Sequence, residues 1–271
     1  MTSSPNTSEP TRLDANLRKV PANCERHGDY EATEFRVPPL LEGLKPMLSG
    51  CPACSAERGA HAAEKERRAE HERKQHRIAT LLNRSLIPAR FADRTLENYR
   101  AELPSQQRAL AIARRYVGSF ADTASRGASL ILAGKPGTGK THIACGIARA
   151  LIEQHDKTAV FMTVLQALRH VKDTYRRDSE RSEHDAINDL LAPDLLILDE
   201  IGAQNGSEHE KMLMFEIINE RYQECRATIL ISNLTAEELG IFLGDRVMDR
   251  FREAGAVVAF DWASHRGSKA A

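Results

Sequence analysis

The sequence predicts an α/β fold in which a parallel sheet carries helices on both faces. Three observations point to it. The apolar run Leu130-Ile131-Leu132-Ala133 enters a glycine-rich loop, and a helical pattern over residues 142–153 follows. A second apolar run, Leu195-Leu196-Ile197-Leu198, ends in the acidic pair Asp199-Glu200. Further along, short β-branched or apolar runs alternate with helical stretches, the order of βα units whose strands lie parallel. In such a sheet a ligand lies at the carboxyl ends of the strands.

The loop reads Gly134-Lys135-Pro136-Gly137-Thr138-Gly139-Lys140-Thr141, of the form G-x-x-x-x-G-K-T. Its glycines let the backbone curl so that successive N–H groups point inward, and the next helix adds its positive end. Such a loop cradles the phosphates of a nucleotide. Lys140 reaches the β- and γ-phosphates, and the Thr141 hydroxyl ligates Mg²⁺.

The remaining elements follow in order. Leu110, Ala113, Val117 and Phe120 recur at helical spacing, so residues 106–120 pack as a helix beside the first strand. Residues 158–163 are a short β-branched and aromatic run, and 164–177 and 182–191 are helical. The strand at 194–200 delivers Asp199 beside the metal and sets Glu200 to orient and polarise a water for attack on the γ-phosphate. A helix at 208–223 and strands at 227–232 and 256–260 complete the pattern. Asn233, where the fourth strand ends, either bonds the attacking water or γ-phosphate or caps the following helix. Arg246 and Arg250, four apart, share a helix face. They either complete a neighbouring subunit's site as an arginine finger or bridge to Asp245 and Asp249.

Composition narrows the class. At 271 residues the chain holds one sizeable domain and a smaller appendage, and 41% hydrophobic residues suffice for a core. Thirty-eight basic residues balance thirty-eight acidic ones, so net charge neither favours nor excludes a polyanionic partner. No apolar run is long enough to span a bilayer, and residues 1–10 do not read as a signal peptide. A cytoplasmic setting is expected, in which the five cysteines are unpaired. Cys145 and Cys225 fall in helical patterns and are expected to be buried thiols.

Ahead of the main domain, Cys24-Glu25-Arg26-His27 and Cys51-Pro52-Ala53-Cys54 present four zinc ligands in two tight pairs. The expected organisation is a flexible leader at 1–20, a zinc-binding module at 21–55, a helical spacer and linker at 56–86, and the nucleotide domain at 87–271. The module's interval is expected to form a hairpin around Tyr30, Phe35 and Val37. Metal would supply the stability that so small a segment lacks. The spacer is polar nearly all round in its first half. Its Arg67, Arg68, Arg73, Lys74 and Arg77 either face solvent or touch phosphates or a partner.

With these motifs in place the chain resembles an AAA+ ATPase of the DnaC/IstB family, which comprises replicative helicase loaders and transposition helper ATPases. The marks are the phosphate loop, Asp199-Glu200-Ile201-Gly202, and Gly244-Asp245-Arg246-Val247-Met248-Asp249-Arg250. Phe91, Glu97-Asn98-Tyr99 and the tail from Phe260 to Arg266 add to them. The resemblance runs from about Ile87 to Arg266 and is closest to the DnaC branch. It implies a P-loop NTPase core of five parallel strands between helices; in a departure from many AAA+ proteins, no helical lid is expected after the last strand. It also implies ATP and Mg²⁺ as cofactors and Glu200 as the catalytic carboxylate. Asn233 would be sensor I, Arg250 the arginine finger, and Arg266 a sensor II-like arginine. Lys172, Tyr175 and Arg176 align with the segment that grips single-stranded DNA, although Tyr175 also reads as a core tyrosine. The implied function is ATP-dependent loading of a DnaB-type ring helicase onto single-stranded DNA, with self-association through the ATP site. Two rivals stand beside it: an IstB-like helper that binds duplex DNA and a transposase, and a zinc-dependent adaptor whose ATP site is regulatory. The Cys/His pairs depart from the best-known DnaC proteins, which leaves open the surface that meets the helicase.

Overall fold

The computed structural model describes residues 18–35, 47–202 and 208–265. The chain divides into two units, Met1–Lys74 and Gln75–Ala271.

In the first unit, β1 (Arg18–Cys24) and β2 (Gly28–Phe35) form an antiparallel hairpin whose tip is the first Cys/His pair, and β3 (Met47–Leu48) adds to β2. A left-handed Gly28 (φ 76°) closes the tip. The hairpin therefore starts inside the expected leader, because residues 18–20 pair with 32–34. Its core also differs from expectation. Ala32 is fully buried, Phe35 is exposed, and Tyr30 donates its hydroxyl to the Ser49 carbonyl at 3.0 Å. Val37 lies outside the described residues.

Helix α1 (Pro52–Arg84) begins within the second cysteine pair, with Pro52 at its first position, where the missing N–H costs nothing. The division between units falls inside this helix. Its last turns are more than a spacer: Ile78, Leu81 and Leu82 pack on the core of the second unit.

The second unit follows the predicted alternation. Helices α2 (Pro104–Gly118) and α3 (Phe120–Thr123) precede β4 (Ser129–Gly134) and α4 (Lys140–His155). Then come β5 (Ala159–Thr163), α5 (Val164–Lys172), α6 (Glu183–Leu191), β6 (Leu195–Ile201) and α7 (Glu208–Gln223). The series ends with β7 (Ala227–Ser232), α8 (Ala236–Leu243), α9 (Asp245–Ala254) and β8 (Gly255–Phe260). The five strands are parallel in the order β5-β6-β7-β4-β8.

Alternation along the strands feeds two cores. Leu130, Leu132, Leu195, Ile197, Ile229 and Ile231 meet α2 and α4, whereas Ile131, Leu196, Leu198 and Leu230 meet α5 to α9. The predicted helix over 164–177 stops at Lys172, and a 3-10 turn covers Asp173–Tyr175. Cys145 is buried, but Cys225 is exposed. It occupies a left-handed turn (φ 51°) after α7 rather than a helix interior.

Arg221, on α7, is fully buried and ties together the amino-terminal ends of β6 and β7. Its Nη1 donates to the Leu190 and Leu191 carbonyls (2.7 and 3.0 Å), and its Nη2 donates to those of Pro193 and Ala227 (3.1 and 2.6 Å). Its Nε donates to Thr228 Oγ1 at 3.0 Å. Burial lowers its pKa to about 9, which leaves it charged at neutral pH. Among the described residues, no helix is long and apolar enough to cross a membrane.

Candidate functional site

The phosphate loop joins β4 to α4 at the carboxyl edge of the sheet. Lys140 opens α4 and is buried; its Nζ donates to the Gly134 and Lys135 carbonyls, both at 2.7 Å. Its ammonium thus lies within the curl that a phosphate would share. Next to it, Thr141 Oγ1 donates to Asp199 Oδ2 at 3.0 Å. Two oxygen donors of the kind Mg²⁺ takes are thereby brought together from α4 and β6, so the donor set fits the metal. Burial raises the Asp199 carboxyl above its ordinary range.

Strand β7, which carries Asn233 just beyond its end, lies between β4 and β6. Here the ladder is irregular. Leu198 pairs with Leu230 and Ile201 with Ser232, so three steps on β6 answer two on β7. The extra residue is a β-bulge, and it falls at Asp199-Glu200. Glu200 takes a left-handed backbone (φ 66°), its N–H donates to Asp199 Oδ1 at 2.7 Å, and its side chain is exposed. A non-glycine residue held there stores on the order of 1–3 kcal/mol, a cost found most often at working sites. The sequence pattern placed both carboxylates at the strand end. The structure continues the strand to Ile201 and uses the bulge to re-aim them.

Asn233 is exposed and does not cap α8. Thr235 does so, its Oγ1 accepting from the Glu238 N–H at 3.2 Å. On α9, Val247, Met248 and Phe251 are buried while Arg246 is exposed and Arg250 half-buried. Among the described residues neither arginine pairs with Asp245 or Asp249. Instead the Arg250 guanidinium lies 5.2 Å from the centroid of the Tyr222 ring, and the Tyr222 hydroxyl donates to Glu253 Oε2 at 2.6 Å. Arg266 lies outside the described residues.

Lys172 closes α5, and Tyr175 and Arg176 follow at the end of the 3-10 turn. Tyr175 is 47% exposed, which rules out the core reading. Its hydroxyl donates to Glu183 Oε1 at 3.1 Å, and its ring centroid is 6.4 Å from that of His209. Lys172 Nζ donates to Glu210 Oε1 at 2.5 Å, and Arg176 faces Asp178 at 3.6 Å.

In the first unit Cys24, His27, Cys51 and Cys54 converge, with their four ligand atoms all within 4.8 Å of one another. Cys24 Sγ is 3.5 Å from Cys54 Sγ, and His27 Nδ1 is 3.2–3.8 Å from the three sulfurs. Tetrahedral ligands at Zn–S and Zn–N lengths stand roughly 3.5–3.8 Å apart, so this donor set fits zinc. The backbone N–H of Arg26, then His27 and Cys54, pull the Cys24 thiol down to about 6. Cys54, bonded to that thiolate, is pushed up to about 11.

Sequence reading missed Glu57. It lies on α1 one turn beyond Cys54 and accepts from His27 Nε2 at 2.9 Å, while Arg26 faces it at 3.1 Å. That bond fixes the ring so that Nδ1 faces the sulfurs, the usual second support of a metal-ligating histidine.

Over residues 53–266 the chain matches the family described as IstB-like ATP binding protein. The replicative helicase loader DnaC of Escherichia coli (strain K12) is 39% identical over 198 residues, covering 73% of this chain and 79% of that protein. The loader of the same name from Buchnera aphidicola subsp. Acyrthosiphon pisum (strain APS) is 35% identical over 196 residues, 72% of this chain and 78% of that one. Among solved structures, that of the DnaC helicase loader superposes with a TM-score of 0.58 at 24% identity, covering 64% of this chain and 100% of that chain. DnaI does so with a TM-score of 0.55 at 20% identity, covering 67% and 95%. These two likenesses show a common fold.

Proposed function

The chain belongs to the IstB-like ATP-binding family, and from that premise we propose that it is an ATP-driven loader of a DnaB-type ring helicase onto single-stranded DNA. The observation that carries the reading is the meeting of Lys140, Thr141, Asp199 and Glu200 at one edge of the sheet, in a chain 39% identical to a named loader.

In this reading the loop from Gly134 to Thr141 binds the phosphates, with Lys135, Pro136, Gly137, Thr138 and Gly139 shaping its curl. Lys140 leaves the two carbonyls it now bonds and takes the β- and γ-phosphates. Thr141 and Asp199, which bond each other in this structure, would be the residues that hold Mg²⁺. What Mg²⁺ supplies, when bound, is neutralisation of phosphate charge. Glu200, aimed by the bulge, accepts a proton from the attacking water, and Asn233 orients that water. Arg250 acts on the nucleotide of a neighbouring copy, once its guanidinium has left the Tyr222 ring. Arg266 completes the nucleotide contacts as sensor II.

Lys172 and Tyr175 each bond a carboxylate in this structure. Gripping DNA exchanges Glu210 and Glu183 for phosphate and frees the Tyr175 ring to stack on a base, while Arg176 meets a second phosphate. Cys24 and His27 at the hairpin tip and Cys51 and Cys54 at the start of α1 would hold zinc, which would supply a cross-link between the two and make the amino-terminal unit a rigid surface for the helicase. Three thiolate ligands accord with a reducing, cytoplasmic setting.

The test is mass analysis of the full chain mixed with a DnaB-type helicase, with and without ATP. A defined complex that depends on ATP and breaks up on adding single-stranded DNA is expected. No association, together with assembly on duplex DNA, would transfer the assignment to the transposition-helper branch. Association that is insensitive to Glu200→Gln in every step would favour the adaptor reading.

A further inference from the structure

Two aromatic side chains and a stretch of backbone hold the phosphate loop from behind, and none of them has a part in the function proposed above. Trp262 donates its indole N–H to the Thr138 carbonyl at 3.0 Å, and Tyr99 donates its hydroxyl to the same oxygen at 3.2 Å. Both side chains are buried, as is Thr138. The backbone N–H of His265 donates to the Gly137 carbonyl at 3.0 Å, and that of Lys135 donates to the Phe260 carbonyl at 3.0 Å. Two segments remote in sequence, one at Tyr99 and one from Phe260 to His265, therefore grip the loop, and between them they hold its consecutive Gly137 and Thr138 carbonyls.

We propose that Tyr99 and Trp262 are positioning residues of the nucleotide site, which fix the Thr138 carbonyl rearward so that the loop's N–H groups are aimed before a phosphate arrives. The inference rests on the ATP-binding reading. In a planar trans peptide the C=O and the following N–H point in opposite directions. Pinning the Gly137 and Thr138 carbonyls to the rear turns the N–H groups of Thr138 and Gly139 the other way, toward the open face of the curl. An anion-binding nest is made of successive N–H groups aimed in this manner.

The fit around Gly139 is close. That residue has φ 98°, and a Cβ there would stand 2.7 Å from Tyr99 Cε2, so the loop backbone rests directly on the tyrosine ring. The clamp is itself supported. The Phe260 and Trp262 rings are 4.7 Å apart, the Tyr99 ring meets His142 edge-on at 5.2 Å, and Gln106 Nε2 is 3.1 Å from His265 Nε2. Burial pushes the Tyr99 phenol up to about 12, so it keeps its donor proton at neutral pH.

The test uses Tyr99→Phe and Trp262→Phe in the full chain, each of which keeps an aromatic ring and removes one donor, and the double variant, which removes both. Affinity is read with a fluorescent ATP analogue, with Lys140→Ala as the reference for loss of the site. A single variant leaves the Thr138 carbonyl one partner, and the double leaves it buried with none. Kd is expected to rise about threefold in each single variant and on the order of thirtyfold in the double, more than the product of the two. The turnover number at saturating ATP stays within about twofold, because these amides hold ground and transition states alike. A merely structural role would instead lower the melting temperature and leave the affinity of the folded fraction unchanged, and that result overturns the proposal. Wild-type affinity in all three variants, with Lys140→Ala still inactive, also overturns it but leaves the ATP-binding reading standing. No binding by the wild type overturns both.

Discussion

Replacing Arg221 by methionine removes the cation that joins the amino-terminal ends of the two strands leading to Asp199 and Asn233. Methionine fills much of the same space but offers none of the five donors. Four carbonyls and the Thr228 hydroxyl then lose a charged partner inside the protein. Each polar group left unsatisfied costs about 1–3 kcal/mol, offset in part because no guanidinium has to be buried. Breaking a buried charged network in this way costs about 3–5 kcal/mol in net terms. Trp262 is the only tryptophan and lies buried in the second unit, so its fluorescence follows the unfolding of that unit in urea. With a slope of about 2 kcal/mol per molar, the midpoint falls by about 1.5–2.5 M. Arg221→Lys, with three donors in place of five, falls between the two proteins. Nucleotide affinity under native conditions stays unchanged, because the tie is at the opposite ends of the strands from the phosphate loop. A midpoint within about 0.3 M of the wild type in the methionine variant would refute the reasoning.

Four further outcomes follow from the site. Glu200→Gln binds ATP but hydrolyses it at least about 100-fold more slowly, the loss expected on removing a proton acceptor; turnover at the wild-type rate removes that carboxylate from the chemistry. Arg250→Ala lowers turnover by a factor on the order of 10³. Mixing it with Lys140→Ala restores part of that activity, since one variant keeps the finger and the other the loop; a mixture no more active than its components contradicts action between subunits. Glu57→Gln leaves the thiolate-to-metal absorption of a Co²⁺-loaded protein in place but weakens metal affinity about 10–100-fold, whereas unchanged affinity would reduce Glu57 to a surface acid. The raised pKa of Asp199 gives a pH dependence whose sign is fixed. Burial penalises its charged form, so the group costs stability above its unfolded pKa, and that cost disappears as pH falls. Below the raised pKa a proton competes with Mg²⁺, and the Mg²⁺ requirement for ATP binding rises by up to about tenfold per pH unit. Asp199→Asn should abolish that slope, and a slope retained in the variant assigns it to another group.

Much of the second unit was legible in the sequence because its strands are continuous apolar runs. Residues 227–232 and the helix at 208–223 fall where the periodicity puts them, and residues 195–198 are buried on both faces as a central strand requires. The hairpin was harder to read. Residues 18–24 include Pro21 and alternate weakly, since backbone pairing around a tight tip, rather than apolar burial, holds them. The four Cys/His donors were visible from spacing alone, whereas Glu57 required knowing that α1 begins at Pro52, five residues ahead of the carboxylate that meets His27. The bulge at Asp199-Glu200 had no sequence signal beyond an acidic pair preceding Ile201. Tyr99 and Trp262 escaped notice as site residues because they reach Thr138 from 39 and 124 residues away. Both stand in the sequence only as family marks, Tyr99 within Glu97-Asn98-Tyr99 and Trp262 within the tail from Phe260 to Arg266, with nothing that ties them to the loop.

The account depends first on triphosphate binding by this chain, and the most direct measurement is calorimetric titration of ATP–Mg²⁺ into the purified full-length protein. A saturable exothermic isotherm with one site per chain is expected, absent in Lys140→Ala and preserved in Glu200→Gln. A flat trace from folded wild-type protein would contradict the assignment of the loop, and with it the loader mechanism built upon it.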